Sequence, residues 1–410
     1  MADSVADQMR KAMIEHQRGE LAKAEAAYLG ILAHTPEHPD ALHYLGMLRF
    51  QQEEQPEAIA LVRRSLEIAP DNPHAWNNLG NILFARGERD DALRAYENAV
   101  AAAPNLTAGW HNLGILHRRS KRLDRAIECF QKVLIVDTAA AAGMPGADFR
   151  NALESLVNLL QRTRRTVELA QTLTLWQSSF PNDPVALHMA AAVTGKDVPP
   201  RASAEYVKEL FDRFAESFDH TLKMLDYRAP QMLAEALSAE PEYQRGQARV
   251  LDAGCGTGLC APWLRSTAGL LVGVDLSPAM QEKARARGLY DELCVMDLCE
   301  FMRGRPALFD VIIACDTLEY FGDLHDFYAA AHVSLSPGGL LLFTVEAMQP
   351  DRPTDDYLIQ PHGRYCHRAG YVRLAAAKAG LVNLAITEGP LRREWGAEVP
   401  GLVVAARRGR

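Results

Sequence analysis

The sequence predicts two folds in one chain: an α-helical repeat solenoid, then an α/β domain on a doubly wound sheet of seven strands. Three observations carry this. Proline recurs at Pro36, Pro70 and Pro104, each 34 residues after the last. In the second half, short apolar runs alternate with helical patterns, and the first run ends in Gly254-Cys255-Gly256-Thr257-Gly258. At 410 residues the chain is also too long for one ordinary core.

The repeat shows at more phases than proline. Alanine keeps the same step at Ala24, Ala58, Ala92 and Ala126, and a large side chain follows each at Tyr28, Val62, Tyr96 and Phe130. A small residue stands at Ala12, Gly46, Gly80 and Gly114, and Trp76 and Trp110 precede the last two glycines by four. Apolar residues three to four apart mark one face of a helix, then a turn, then a second helix. The small residue lets the paired helices approach, and the proline ends the second. One such unit cannot bury its face alone, so units must stack. Segments such as Trp76-Asn77-Asn78-Leu79-Gly80, with Ala92 and Tyr96 after it, resemble tetratricopeptide repeats. Four units span about residues 5–138, and a Gly/Ala/Pro stretch at 139–147 interrupts them. Residues 149–192 read as a degenerate helical pair and a capping helix, so the array is assigned to 1–195.

Asn77 and Asn81 fall on inner-helix positions, and Asn78 and Asn112 share one phase of the repeat. Asparagine amides pair with both N–H and C=O of an extended peptide whatever its sequence. This ladder resembles the peptide-holding groove of O-GlcNAc transferase, which implies a protein or peptide partner. Simple repeat packing and self-association remain open at this point.

Residues 196–202, with Pro199-Pro200, read as a linker, and 203–245 as helices leading into a domain at 246–410. Tyr206, Leu210, Phe211, Phe214 and Phe218 form an aromatic helix stripe. That stripe resembles the lid helix of methyltransferases acting on small acceptors, and Tyr206 and Phe214 are accordingly candidate substrate contacts. Val250-Leu251-Asp252-Ala253 runs into the glycine loop, whose G-x-G-x-G spacing differs from the G-x-G-x-x-G of a pyrophosphate site. It resembles motif I of class I methyltransferases, with their Rossmann-like sheet. Leu270–Val274 ends on Asp275, where an acid can accept ribose hydroxyls. The resemblance extends to Asp297 beside Leu298, to the fourth strand ending on Asp316, and to Pro337-Gly338-Gly339 before the fifth. It implies S-adenosylmethionine as cofactor, held by Asp252, Gly254, Cys255, Gly256, Gly258, Asp275, Leu276, Asp297, Leu298 and Asp316. The order of repeats and then this domain is similar to a bacterial family of tetratricopeptide methyltransferases, which brings no particular substrate with it.

The acceptor is less legible. After the fourth strand the chain reads Asp316-Thr317-Leu318-Glu319-Tyr320, without the Asn/Asp-Pro-Pro-aromatic loop of enzymes that methylate amino groups of nucleic acid or glutamine. Glu319 also lacks the second acid expected of a protein-arginine enzyme. Residues 347–370 read as a long loop carrying His362, Arg364, Tyr365 and His367. The histidines, Tyr365 and Glu319 are candidate proton acceptors, and Arg364 is a contact for an acceptor carboxylate. Arg392, expected in the turn between a closing hairpin of Leu381–Glu388 and Leu402–Arg407, is a second such contact. Two acceptors follow: a protein or protein-tethered group recruited by the repeats, or a small molecule methylated on oxygen or carboxyl, with the repeats serving assembly or localisation.

Composition narrows the partners. Net charge is −8, from 44 basic and 52 acidic residues, and neither half is basic, which leaves nucleic acid without an electrostatic footing. No apolar run reaches membrane length, no secretion pattern opens the sequence, and the seven cysteines have no familiar metal spacing. A cytoplasmic protein without a metal site is the expectation.

Overall fold

The computed structural model describes residues 4–140, 146–243, 246–349, 355–394 and 396–410. The chain divides into two compact units, Met1–Ser179 and Phe180–Arg410.

The first unit is helical. Four pairs follow the 34-residue step: α1 (Val5–Gln17) with α2 (Leu21–His34), α3 (Pro39–Gln51) with α4 (Gln55–Ile68), α5 (Pro73–Ala85) with α6 (Arg89–Ala102), and α7 (Thr107–Arg119) with α8 (Leu123–Ala140). Pro39 and Pro73 open their helices at positions where a missing N–H costs nothing. The recurring glycines are required by packing. A Cβ on Gly46 would meet Val62 at 2.7 Å, one on Gly80 the Tyr96 ring at 2.5 Å, and one on Gly114 the Phe130 ring at 2.8 Å. Each partner lies on the second helix of the same pair, so small and large residues interlock once per repeat. Trp76 and Trp110 donate their indole N–H to the carbonyls of Pro70 and Pro104, at 2.7 and 2.9 Å, which ties each helix to the turn before it. The degenerate pair is α9 (Ala147–Arg162) and α10 (Thr166–Ser179). Most of the interrupting Gly/Ala/Pro stretch, 141–145, lies outside the described residues.

The second unit begins with α11 (Pro184–Thr194), α12 (Ala204–Phe214), α13 (Phe218–Met224) and α14 (Ala229–Ser238). Five parallel strands follow: β1 (Ala248–Ala253), β2 (Ala268–Asp275), β3 (Glu292–Val295), β4 (Phe309–Ala314) and β5 (Leu335–Ala347). Between them come α15 (Ala261–Thr267), α16 (Pro278–Ala286), α17 (Leu298–Arg303) and α18 (His325–Ser334), and then β6 (Tyr357–Ile359), β7 (Tyr365–His367), α19 (Ala369–Lys378), β8 (Leu381–Glu394) and β9 (Ala397–Arg408). The main order is β3-β2-β1-β4-β5, with β9 antiparallel to β5 and β8 antiparallel to β9. Val250, Leu251, Val311, Ile312, Ile313, Leu341 and Leu342 are fully or almost fully buried, as expected of central strands covered on both faces.

Four expectations change. The seven expected strands are all present, and part of the expected loop at 347–370 adds the short hairpin β6–β7, whose β7 pairs with the end of β5 at Glu346 and Ala347. β8 runs on through Arg392 instead of ending at Glu388. It survives Pro390 because it is an edge strand, where a missing N–H breaks no inner ladder. Helix α11, assigned to the array as a cap, belongs to the second unit. There His188 stacks on Tyr206 at 3.9 Å, and its Nε2 lies 2.7 Å from the Gly363 carbonyl. Residues 199–202 are a strap rather than a loose linker. Ala202 N–H donates to Tyr320 O at 2.8 Å, Gly322 and Asp323 N–H donate to Pro200 O, and Tyr365 Oη donates to Pro199 O. No helix among the described residues is long and apolar enough to cross a membrane.

Candidate active site

β1 lies between β2 and β4, so the connections after β1 and β4 leave opposite ways and open a crevice at the carboxyl ends of the strands. The loop after β1 turns on Gly254, Gly256 and Gly258, with φ of 80°, 52° and 83°. A Cβ on Gly254 would run into Thr317 Oγ1, and one on Gly258 would come within 3.0 Å of the Tyr290 ring. On Gly256 the nearest atom would be the Phe218 ring edge at 4.0 Å. Two of the glycines therefore serve packing, while the middle one borders open space under an aromatic ring.

Three acids stand round this loop. Asp252, buried at the end of β1, accepts from Tyr290 Oη at 2.6 Å through Oδ2, while its Oδ1 is buried with no hydrogen-bond partner. Burial pushes its pKa up to about 7 against the pull of Tyr290. Asp275 accepts Gly256 N–H at 2.9 Å and Ser277 N–H at 2.8 Å on its two oxygens, and burial raises its pKa despite those amides. Asp297 caps α17 with Oδ1, accepting Cys299 and Glu300 N–H at 2.9 and 3.1 Å, and its Oδ2 pairs with Arg201. Burial would raise Asp297, but Arg201 and the capping amides outweigh it and hold the carboxyl below the usual range. Leu298 is buried directly beyond, and Cys255 is buried within the loop.

α12 and α13 bring aromatic side chains to the same place. Phe218 packs edge-on against Phe214 at 5.2 Å and Phe211 at 6.1 Å, and Phe211 reaches Tyr320 at 5.4 Å. Asp212 accepts from Ser277 Oγ at 2.6 Å, while Asp219 accepts from Thr257 Oγ1 at 2.5 Å and pairs with Arg287. These bonds fasten the helices to the loops after β1 and β2. Phe214 is thus part of the aromatic cover, and Tyr206 is buried on the same helix against His188.

Residues 251–343 match a methyltransferase domain family, and residues 9–73 and 72–134 match tetratricopeptide repeat families. The chain joins tetratricopeptide repeats to a class I methyltransferase domain. Among curated proteins it is 35% identical over 136 residues to methyltransferase-like protein 27 of Homo sapiens, covering 33% of this chain and 55% of that protein. It is 29% identical over 191 residues to a carboxy-S-adenosyl-L-methionine synthase of Wolinella succinogenes, covering 43% and 78%. A ubiquinone biosynthesis O-methyltransferase of Methylocella silvestris is 33% identical over 96 residues, covering 23% and 38%. The chain thus spans little more than half the length of the first of these relatives.

S-adenosylmethionine is the methyl donor of this domain family, and the residues present fit it. The unpaired Asp252 Oδ1 is an acceptor that an ammonium group would satisfy, and Gly256 leaves room where a side chain would intrude.

Beyond the end of β4 the methyltransferase domain holds a closed ionic network. Arg392 donates to Asp316 at 2.7 Å, Glu319 at 3.2 Å and Glu394 at 2.7 Å, and it also pairs with Glu346. Arg364 donates to Glu346 at 2.7 Å and to both oxygens of Glu394 at 2.7 and 2.8 Å. Burial pushes Glu319 up to about 8, against Arg392 and with help from Asp316. Burial raises Asp316 as well, with Arg392 opposing. Glu319 is therefore not isolated, and neither arginine is free for an acceptor carboxylate. A register shift at Pro390/Arg392 leaves Leu391 as an extra residue in β8, and this bulge re-aims Arg392 into the interior.

Two of the expected proton acceptors are core residues. Tyr365 is fully buried, its hydroxyl spent on Pro199 O. His367 is fully buried, stacked on Tyr371, with Nε2 3.0 Å from Gly322 O, and burial lowers its pKa to about 4. His362 is half-buried and also lowered to about 4 by burial; its Nδ1 accepts the Arg364 N–H at 3.3 Å, which turns Nε2 toward Glu346. The sequence reading missed Glu346, Glu394, Tyr290, Asp219 and Arg201. Glu346 had a signal, an acid inside the apolar run Leu340–Val345 and its continuation, whereas the others meet the site only through folding. No cluster of side chains suited to a metal ion occurs among the described residues.

In the repeat unit the asparagines bond to side chains of neighbouring repeats. Asn78 Nδ2 lies 2.8 Å from His43 Nε2, and Asn112 Nδ2 donates to Asn77 Oδ1 at 3.0 Å and Asn81 Oδ1 at 3.1 Å. Asn81 also accepts from Tyr96 Oη at 2.8 Å, and Asn77 is buried. The ladder is at least in part a clasp between inner helices rather than a row of open amides.

Proposed function

We propose that this chain transfers a methyl group from S-adenosylmethionine to a protein, or to a group carried on one, that the repeat array brings in. The observation that carries the reading is the union, on one chain, of a stacked repeat array and a methyltransferase domain whose glycine loop and Asp252 suit the donor. The donor supplies a methyl group already activated on a sulfonium, so alignment and exclusion of water provide most of the catalysis. Gly254, Cys255, Gly256 and Gly258 would hold it with Asp252, Asp275, Leu276, Asp297 and Leu298. Phe211, Phe214 and Phe218 exclude water above the loop. Glu319 takes the proton that the acceptor loses, and Arg392 and Asp316 fix the position of its carboxyl. The acceptor is accordingly a hydroxyl or an amine, because a carboxylate would have to displace acids that already hold Arg364 and Arg392.

A second reading, a small hydroxylated acceptor with the repeats serving assembly, is favoured by similarity to the O-methyltransferase above. Donor with a labelled methyl group, cell lysate, and either the full chain or residues 180–410 distinguish the two. Label in protein only with the full chain supports recruitment by the repeats. Label in small molecules with both proteins supports the second reading. Loss of S-adenosylhomocysteine binding by the full chain would remove both.

A further inference from the structure

We infer that Arg201, outside the matched methyltransferase region, is a positioning residue that confers adenine selectivity on the donor site through Asp297. The inference rests on the donor reading above. Asp297 follows β3 two residues beyond Val295, the register partner of Asp275, so both acids stand on the carboxyl edge where doubly wound sheets take ligands. Its Oδ1 is occupied by the two capping amides of α17, which leaves Oδ2 as the oxygen able to accept an exocyclic N–H. Arg201 pairs with that oxygen. A carboxylate oxygen has two lone-pair directions, so one guanidinium bond fixes the plane of the group and leaves one acceptor direction open.

Arg201 is itself held rigidly. Its backbone bridges Phe321 antiparallel, its guanidinium lies over the Phe321 ring at 4.4 Å, and Pro200 and Ala202 on either side bond residues 320–323. The strap therefore joins the segment after β4 to the acid after β3, two parts of the crevice that the sheet alone keeps apart. The pairing also keeps Asp297 an acceptor, since an ionised carboxylate only accepts, whereas a protonated one donates from one oxygen.

The test uses the full chain, isothermal titration, and two ligands: S-adenosylhomocysteine and S-inosylhomocysteine, in which an oxo group replaces the adenine amine. The wild-type chain prefers the adenine ligand. Arg201→Ala weakens binding of that ligand about tenfold and leaves the inosine ligand nearly unchanged, so the preference collapses; Arg201→Lys restores part of it. Equal weakening of both ligands, or an unchanged preference, overturns the inference. Failure of the wild-type chain to bind S-adenosylhomocysteine would instead overturn the donor reading, a distinct outcome.

Discussion

Arg392 Nη1 donates to Asp316 Oδ2 at 2.7 Å, which joins the edge strand β8 to the end of β4 across the interior of the domain. Asp316 sits there with φ of 48°, a backbone conformation unusual for a residue other than glycine. Its amide donates to Thr344 Oγ1 at 2.8 Å, and that hydroxyl donates back to Asp316 Oδ1 at 2.9 Å.

Arg392→Met keeps the volume and removes the charge, which leaves Asp316, Glu319 and Glu346 buried without their main cation. Breaking a buried pair from one side costs about 3–5 kcal/mol. The thermal transition of the second unit falls accordingly, and Arg393→Ala on the exposed neighbour changes it little. Scanning calorimetry of the full chain resolves the two.

On the proposed reading Asp252 governs the pH dependence of donor-site binding. Its ionised form attracts an ammonium group, and burial holds its pKa at about 7 in the free protein. Affinity for S-adenosylhomocysteine rises with pH up to about 7 and levels off above it, with a proton released on binding on the acid side. Titrations in buffers of different ionisation enthalpy measure that proton, and Asp252→Asn abolishes both the slope and the release.

Glu319 gives methyl transfer its own pH profile. On the proposed reading the carboxylate is the proton acceptor, and burial sets it at about 8, so the rate at saturating donor climbs below pH 8 and flattens above. Glu319→Gln removes the climb and lowers the rate by about 10²–10⁴-fold, measured on the acceptor that the labelling experiment returns.

Gly254→Ala and Gly256→Ala separate packing from binding. A Cβ at 254 collides with Thr317, so that variant loses folding of the second unit. At 256 the surroundings are open, and only left-handed backbone strain of about 1–2 kcal/mol opposes the Cβ. Gly256→Ala stays folded by circular dichroism but loses S-adenosylhomocysteine binding by calorimetry.

Asn112→Ala cuts the clasp to Asn77 and Asn81. Loss of partly buried amide bonds costs about 1–2 kcal/mol, seen as a lower melting transition for the repeat unit with donor-site binding unchanged.

Local chemistry made much of this protein legible. Where a repeat stacks a small residue on a large one, Gly80 under Tyr96 or Gly114 under Phe130, the need recurs every 34 residues and is written in the sequence as a period. The loop Gly254–Gly258 and the acid ending β2 are likewise short-range, since a tight turn and a strand end each involve a few consecutive residues. The ionic network was different. Arg364 and Arg392 read as free cations because a sequence displays their charge and hides their partners, which arrive from the segment after β4, from β5 and from the end of β8. Tyr365 and His367 read as catalytic for the same reason: polar side chains in a loop by composition, they become core once β7 pairs with the end of β5. The sequence by itself determined the repeats, the order of the two units and the donor loop, all set by spacing along the chain. Only the tertiary structure decided which charges neutralise one another and that the strap through Arg201 reaches Asp297, because Coulomb pairing and burial depend on distance in space rather than along the chain.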